Sequence, residues 1–363
     1  MKRVLFFAAL LLSWSLSASA GTLYRGEQTL WQDTVWQGEV LIDGVLTIAP
    51  EVVLEIRPGT RISFTFMDSN GDGVGEHEMF IQGRLHAVGT EDEPVVFTSA
   101  ESRPFSGAWG AINMMMSEED NVLAHCVLEY GYRGYHAHFS RVTLVDCEFR
   151  YNTRGLQFQE STVTMKRSRV IDNFNGMQFR DSNVVIDQSF ISGSYWGLRC
   201  LYTDLRLTDC VIEKNAINGV HLRDSTLLAE GNRIVGNRRG LYLQRSRAEV
   251  RGNQIGGNSE HGIFLEKSEL NGTHNRLTGN GRSGIRWLNS EGILRANDLS
   301  GNGTYAVIND GNTPLDATGN WWGTADESLI GGLVRDGSQR PGLAQVFYDE
   351  ALTAPPIRLP SLH

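Results

Sequence analysis

The sequence predicts an all-β fold, a right-handed single-stranded parallel β-helix solenoid with 21–22-residue coils, less regular N-terminal coils and an aromatic C-terminal cap. Three observations predict it. Glycine recurs at Gly134, Gly155, Gly176, Gly197, Gly219, Gly240, Gly262 and Gly284, and a fixed period of this length marks a solenoid whose units bury their apolar faces only against neighbours. Apolar residues stand one, three, eight, ten and fifteen places after each glycine, as Leu156, Phe158, Val163, Met165 and Val170 do after Gly155. That is two-residue alternation in short bursts, hence three short strands per coil. Between the bursts run polar columns: a hydroxyl six places on (Ser161), Asn, Ser or Cys thirteen places on (Ser168, Asn253), and Asn or Ser eighteen places on (Asn173, Asn258). Stacked as parallel strands, each column becomes a ladder with a step of ~4.8 Å. Asparagine suits it because it tolerates a left-handed bend and its amide bonds to amides above and below. A leucine-rich repeat of similar period needs a helical turn in every unit, and no helical apolar period runs between Gly134 and Ala306.

The elements follow in order. Residues 1–20 have a basic start, an apolar core and a small-residue end, the pattern of a secretory signal cleaved before Gly21. Residues 21–33 read as an N-terminal lead-in or cap. Residues 34–323 read as the β-helix, irregular over 34–133 and regular over 134–323. Residues 324–363 read as a C-terminal cap and tail, broken by Pro355, Pro356 and Pro360. Two adjacent tryptophans, Trp321 and Trp322, are expected to cover the last coil, because an open solenoid end exposes a sheet edge. On these repeats, and on the ending Gly319-Asn320-Trp321-Trp322-Gly323, the chain resembles the parallel β-helix repeat proteins of the pectin-lyase-like superfamily. The resemblance covers most of the mature chain. It implies the fold and leaves activity open, since this scaffold carries lyases, hydrolases, epimerases, adhesins and non-catalytic proteins.

Removing Lys2 and Arg3 leaves 31 basic residues against 42 acidic ones, a mature net charge of −11. Such a chain is a poor general binder of nucleic acid. No later stretch is apolar for long enough to span a bilayer, so no transmembrane anchor is expected after signal cleavage, and the expected location is secreted or periplasmic. Cys126 and Cys147 lie one coil apart, within disulfide range in an oxidising compartment; two buried thiols in one ladder is the other reading.

Three sets of residues are candidates for chemistry. Asp68, Asn70, Asp72, the carbonyl of Val74, and Glu76 or Glu78 resemble the first half of an EF-hand-like calcium loop, oxygen donors at alternate positions around glycines; Met79 stands where a twelfth-position acid belongs. His125, His136 and His138 sit on two neighbouring coils, compatible with a soft-ligand metal such as copper or with plain surface histidines. Columns two, four and five after each glycine should point outward and present Arg180, Arg199, Tyr202, Asp224 and Phe264 as substrate-binding residues. On the same face Arg223 or His221 would be a base and Tyr242 an acid. Rings offer stacking surface to sugars and arginine forks bind carboxylates. The expected function is binding of an extended polymer, a polysaccharide or other cell-envelope component, or a rigid scaffold role. The alternative is a polysaccharide lyase or epimerase acting on a uronate glycan through this face.

Overall fold

The computed structural model describes residues 21–356; the signal-like residues 1–20 and the last seven residues lie outside the described residues. The chain winds into a right-handed parallel β-helix of about 13 turns with coils of about 22 residues. A regular coil contributes Arg154–Gln159 to a first face, Thr162–Lys166 to a second and Arg169–Ile171 to a third. The next coil pairs with it in register, Leu156 with Met177, Val163 with Val184 and Val170 with Ile191. A 14-stranded sheet is the second face, and a 23-stranded sheet makes the other two. Those two are joined by the long strand Glu39–Ile48, whose first half pairs with Arg61–Phe64 and whose second half pairs with Glu78–Ile81.

The five apolar columns are the core. Leu156, Phe158, Val163, Met165 and Val170 are all buried, as are their apolar counterparts along the axis. Like side chains pile on like: Phe158 stacks on Phe179 at 5.8 Å and 14°, and Phe64 on Trp109 at 4.3 Å and 7°. Polar columns line the bends. Ser161 Oγ donates to Gln159 O (2.7 Å) and accepts from the Ser140 N–H (3.2 Å) one coil back. Asn258 Nδ2 donates to Asn280 Oδ1 at 3.0 Å, and Asn258 Oδ1 accepts from the backbone N–H of Asn237 at 3.0 Å.

The expected reason for asparagine is half corrected. None of the ladder residues has positive φ; the left-handed residue is the one just before the ladder, at Glu160, Arg167 and Asp172 in one coil, with φ of 50°, 45° and 52°. A left-handed residue there turns the chain so that the next side chain points along the ladder. The ladder hydrogen bonds then hold a conformation that costs an L-residue about 1–2 kcal/mol. The column glycines, by contrast, are needed for closeness, since a Cβ at Gly155 would sit 2.7 Å from Gly176 O.

Both ends are more built than expected. The lead-in is itself a rung, Thr22–Leu30 pairing with Glu39–Ile48 along its length, so the solenoid begins before residue 34. At the other end only Trp322 of the tryptophan pair is buried, edge-on to Tyr348 at 6.1 Å. The helix Glu327–Leu333, which buries Ile330, then leads into a further partial rung, Val334–Arg335 and Val346–Phe347. No helix among the described residues is long and apolar enough to cross a membrane.

All four cysteines are buried free thiols. Cys126 and Cys147 do stack on neighbouring coils, but each thiol bonds to a backbone carbonyl, Ala87 O and Leu123 O, both at 3.3 Å, in place of the bridge considered above. Burial pushes the Cys126 thiol well up.

His261 is fully buried, with Nδ1 2.8 Å from Ser283 Oγ and Nε2 without a partner. Burial holds its pKa down to about 4 from 6.5. The unfolded chain takes a proton there below about pH 6.5, so the stability that neutral His261 contributes is full above that pH. It is lost at about 1.4 kcal/mol per pH unit as the pH falls toward 4. Urea midpoints are therefore expected to drop between pH ~7.5 and ~5, and His261→Asn should reduce that slope by about one proton.

Candidate ligand-binding face

Along the first face, outward side chains stand in files one coil apart. Arg199, His221, Tyr242, Phe264 and Arg286 form one file, and Arg180, Leu201, Arg223, Gln244 and Glu266 the file beside it. His221 stacks on Tyr242 at 4.8 Å and 12°, and Tyr242 on Phe264 at 4.9 Å and 15°. Phe264 does not offer the open ring expected of it. It is 8 % exposed, because the Arg286 and Arg239 guanidiniums cover it at 4.7 and 5.5 Å.

The three side chains proposed for catalysis are neighbours, yet each bonds to a different partner. His221 Nε2 lies 3.0 Å from Gln244 Oε1, the Tyr242 hydroxyl donates to Glu266 at 3.0 Å, and Arg223 pairs with Asp224 at 3.3 Å. Burial lowers the His221 pKa, with the surrounding arginines adding to the effect. Burial and the Glu266 carboxylate push Tyr242 up to about 12, which makes it a poor proton donor near neutrality. Asp224 is held as a carboxylate by the Arg245 fork at 2.7 Å to each oxygen, and Arg180 closes on Asp181 at 3.0 Å. Arg199 lies over the Trp196 ring at 5.1 Å, and Tyr202 is exposed. Beside this face, Asp224, Arg245, Arg247, Lys267, Glu269 and Glu291 line part of a solvent-open trough of about 600 Å³.

Sequence reasoning missed an aromatic rail on the bend that feeds the first face. Tyr130 stacks on Tyr151 at 5.7 Å, Phe174 on Tyr195 at 5.8 Å and 8°, and Tyr195 meets Trp196 edge-on at 5.0 Å. Phe174 is 63 % exposed and Tyr195 42 %. The signal was present as aromatics four places before the column glycine at Tyr130 and Tyr151 and two places before it at Phe174 and Tyr195, but only in these coils, so no whole-chain column carries it.

The histidines divide. His138 Nε2 lies 2.8 Å from His136 Nε2, and His136 Nδ1 lies 2.8 Å from Asn113 Oδ1. His125 stands at a bend and not on that strand, 3.8 Å from Asp146, and does not join them. Burial, helped by Arg133, lowers the His136 pKa to about 3.

The proposed calcium donors divide as well. Asp68 accepts from the N–H groups of Gly71, Asp72 and Gly73 at 2.7, 3.1 and 2.9 Å, Asn70 accepts from Asp72 N, and Asp72 accepts from Val74 N. Glu76 closes the turn on Ser69 at 2.7 Å, whereas Glu78 leaves it for the first face and accepts from Asn113 Nδ2 at 2.6 Å. Among the described residues no three His, Cys, Asp or Glu side chains gather as a metal site.

The family described as a right-handed beta helix region matches residues 105–226 and 160–320. Two solved structures share the architecture. A single-substitution mutant of the periplasmic alginate epimerase AlgG matches with a TM-score of 0.59 at 17 % identity, over 87 % of this chain and 78 % of that one. A double mutant of AlgG matches with a TM-score of 0.55 at 16 % identity, over 87 % and 79 %. No curated protein matches the sequence.

Proposed function

This chain belongs to the right-handed beta helix family, and from that premise we propose that it binds an extended polysaccharide along its first face, in the periplasm or outside the cell. The observation that carries the reading is the rail of exposed rings, Tyr151, Phe174 and Tyr195, bordering a face of amide, imidazole and guanidinium groups. Exposed rings are costly to keep in water unless something covers them, and a sugar ring has an apolar face that stacks on them. The face continues from coil to coil, which suits a polymer better than a small molecule. Likeness to the alginate epimerases concerns the fold; their polysaccharide substrate agrees with the reading without carrying it. The signal-like composition of residues 1–20 supports that location.

Phe174→Ala combined with Tyr195→Ala is expected to weaken polysaccharide binding about ten-fold or more, measured by affinity electrophoresis against a panel of neutral and acidic polymers. Both rings are exposed, so the melting temperature should hold. The same panel separates binding from turnover. Unsaturated product from a uronate polymer, abolished by His221→Ala, would make the face a lyase site; binding without product is the expected result. Failure of every polymer to bind would leave the scaffold role.

A further inference from the structure

Four arginines of the first face, Arg180, Arg223, Arg239 and Arg286, each meet a carboxylate within 3.3 Å. Arg133 and Arg154 do not. They stand in register on neighbouring strands, both half-buried, with no carboxylate within ion-pair distance among the described residues; Glu78, held by Asn113, acts on Arg133 only from beyond that distance. Both lie against one ring, Tyr132, at 4.9 and 5.4 Å, and both donate to one neutral acceptor, Gln157 Oε1, at 3.2 and 2.7 Å. Two like charges brought together and partly stripped of water are unfavourable unless an anion joins them. Most of their ten N–H donors are left for it.

Beside this pair the imidazoles have a fixed sense. Asn113 Nδ2 donates to Glu78, so Asn113 Oδ1 must be the acceptor for His136 Nδ1–H. That leaves His136 Nε2 with a lone pair, to which His138 Nε2–H donates, and His138 Nδ1 becomes the free acceptor at the end of the relay. The cluster thus offers guanidinium donors for an oxyanion and, next to them, an imidazole acceptor for a hydroxyl.

We propose that Arg133, Arg154 and Gln157, with the His136–His138 pair, form an oxyanion-binding centre for an acidic sugar unit, whose carboxylate or sulfate lies on the arginines and whose neighbouring hydroxyl donates to His138. The centre rests on the polysaccharide reading for the polymer and adds that the polymer is anionic here. Arginine is suited to both oxyanions because its planar fork donates in pairs.

The test follows the ring C–H resonances of His136 and His138 by NMR during titration of the mature protein. Oligogalacturonate, a sulfated oligosaccharide and a neutral cello-oligosaccharide are the three ligands. One of the two acidic ligands should shift both histidines, weaken with added salt, and lose at least ten-fold in affinity in Arg133→Gln and in Arg154→Gln; which one shifts them separates carboxylate from sulfate. Arg154→Lys should recover part of the loss, and matching thermal midpoints show that the variants fold. Equal binding of the neutral and acidic ligands, or unchanged affinity in the glutamine variants, overturns the centre while the polymer reading stands. If no glycan binds, the polymer reading fails, and inorganic sulfate alone then judges the centre: shifts at His136 and His138 support it, and none overturns it.

Discussion

Asn253→Ala is expected to lower stability by roughly 4 kcal/mol, one of the two largest single effects anticipated in this protein. The two hydrogens of Asn253 Nδ2 are shared among Ala229 O, Arg251 O and Asn275 Oδ1, each at 3.0 Å, and its Oδ1 accepts from Asn232 N at 2.8 Å and Asn232 Nδ2 at 2.9 Å. The residue is fully buried, so water cannot replace those bonds. Each buried polar group left unsatisfied costs about 1–3 kcal/mol, and alanine strands groups on three coils at once. Asn253→Ser provides the contrast. Ser168 holds the same column, donating to Lys166 O at 2.8 Å and accepting from Cys147 N at 3.1 Å. Serine therefore keeps the local bond and the bond from the coil before it, and should cost about half as much. Urea denaturation of both variants would decide this, and midpoints within error of the wild type would mean that the ladders contribute little.

Ladder energetics also explain what could be read in advance. A column is legible when every coil faces the same demand: the core positions, the hydroxyl at Ser161 and the amide at Asn253 repeat because each must meet its own image one coil away. The left-handed residues escaped notice because the demand on them concerns backbone alone. Glu160, Asp181, Tyr202, Asp224, Arg245 and Lys267 share one conformation and no side-chain chemistry. Phe264 was misjudged for another reason. Alternation places it outward, and only the coordinates show Arg239 and Arg286 folded over it. The features on which the proposed binding rests, the aromatic rail and the Arg133–Arg154 pair, occur in a few coils and break the repeat. Function in a solenoid is written in such departures, whereas period-finding rewards conformity.

Gly240→Ala is the second large effect, expected to destabilise by about 3 kcal/mol. The added methyl would stand 2.6 Å from Gly262 O and 2.7 Å from Ile255 Cγ2, with Asn258 Nδ2 at 3.1 Å. The first of these is backbone in a paired strand and the last is a ladder amide, so neither can rotate away. Relief requires the coils to part and the Asn258 bonds to lengthen. Gly252→Ala isolates the other use of glycine. Its φ is +66° with nothing within 4 Å of the new methyl, so only the left-handed conformation is penalised, by about 1 kcal/mol. The chain already tolerates that cost two coils on in the same column, at Ala296 with φ of 52°. Guanidinium denaturation of the two variants side by side should rank Gly240→Ala well below Gly252→Ala in midpoint. The reverse order would mean that coil spacing is slack at the glycine column and that the 21–22-residue period reflects backbone conformation rather than contact.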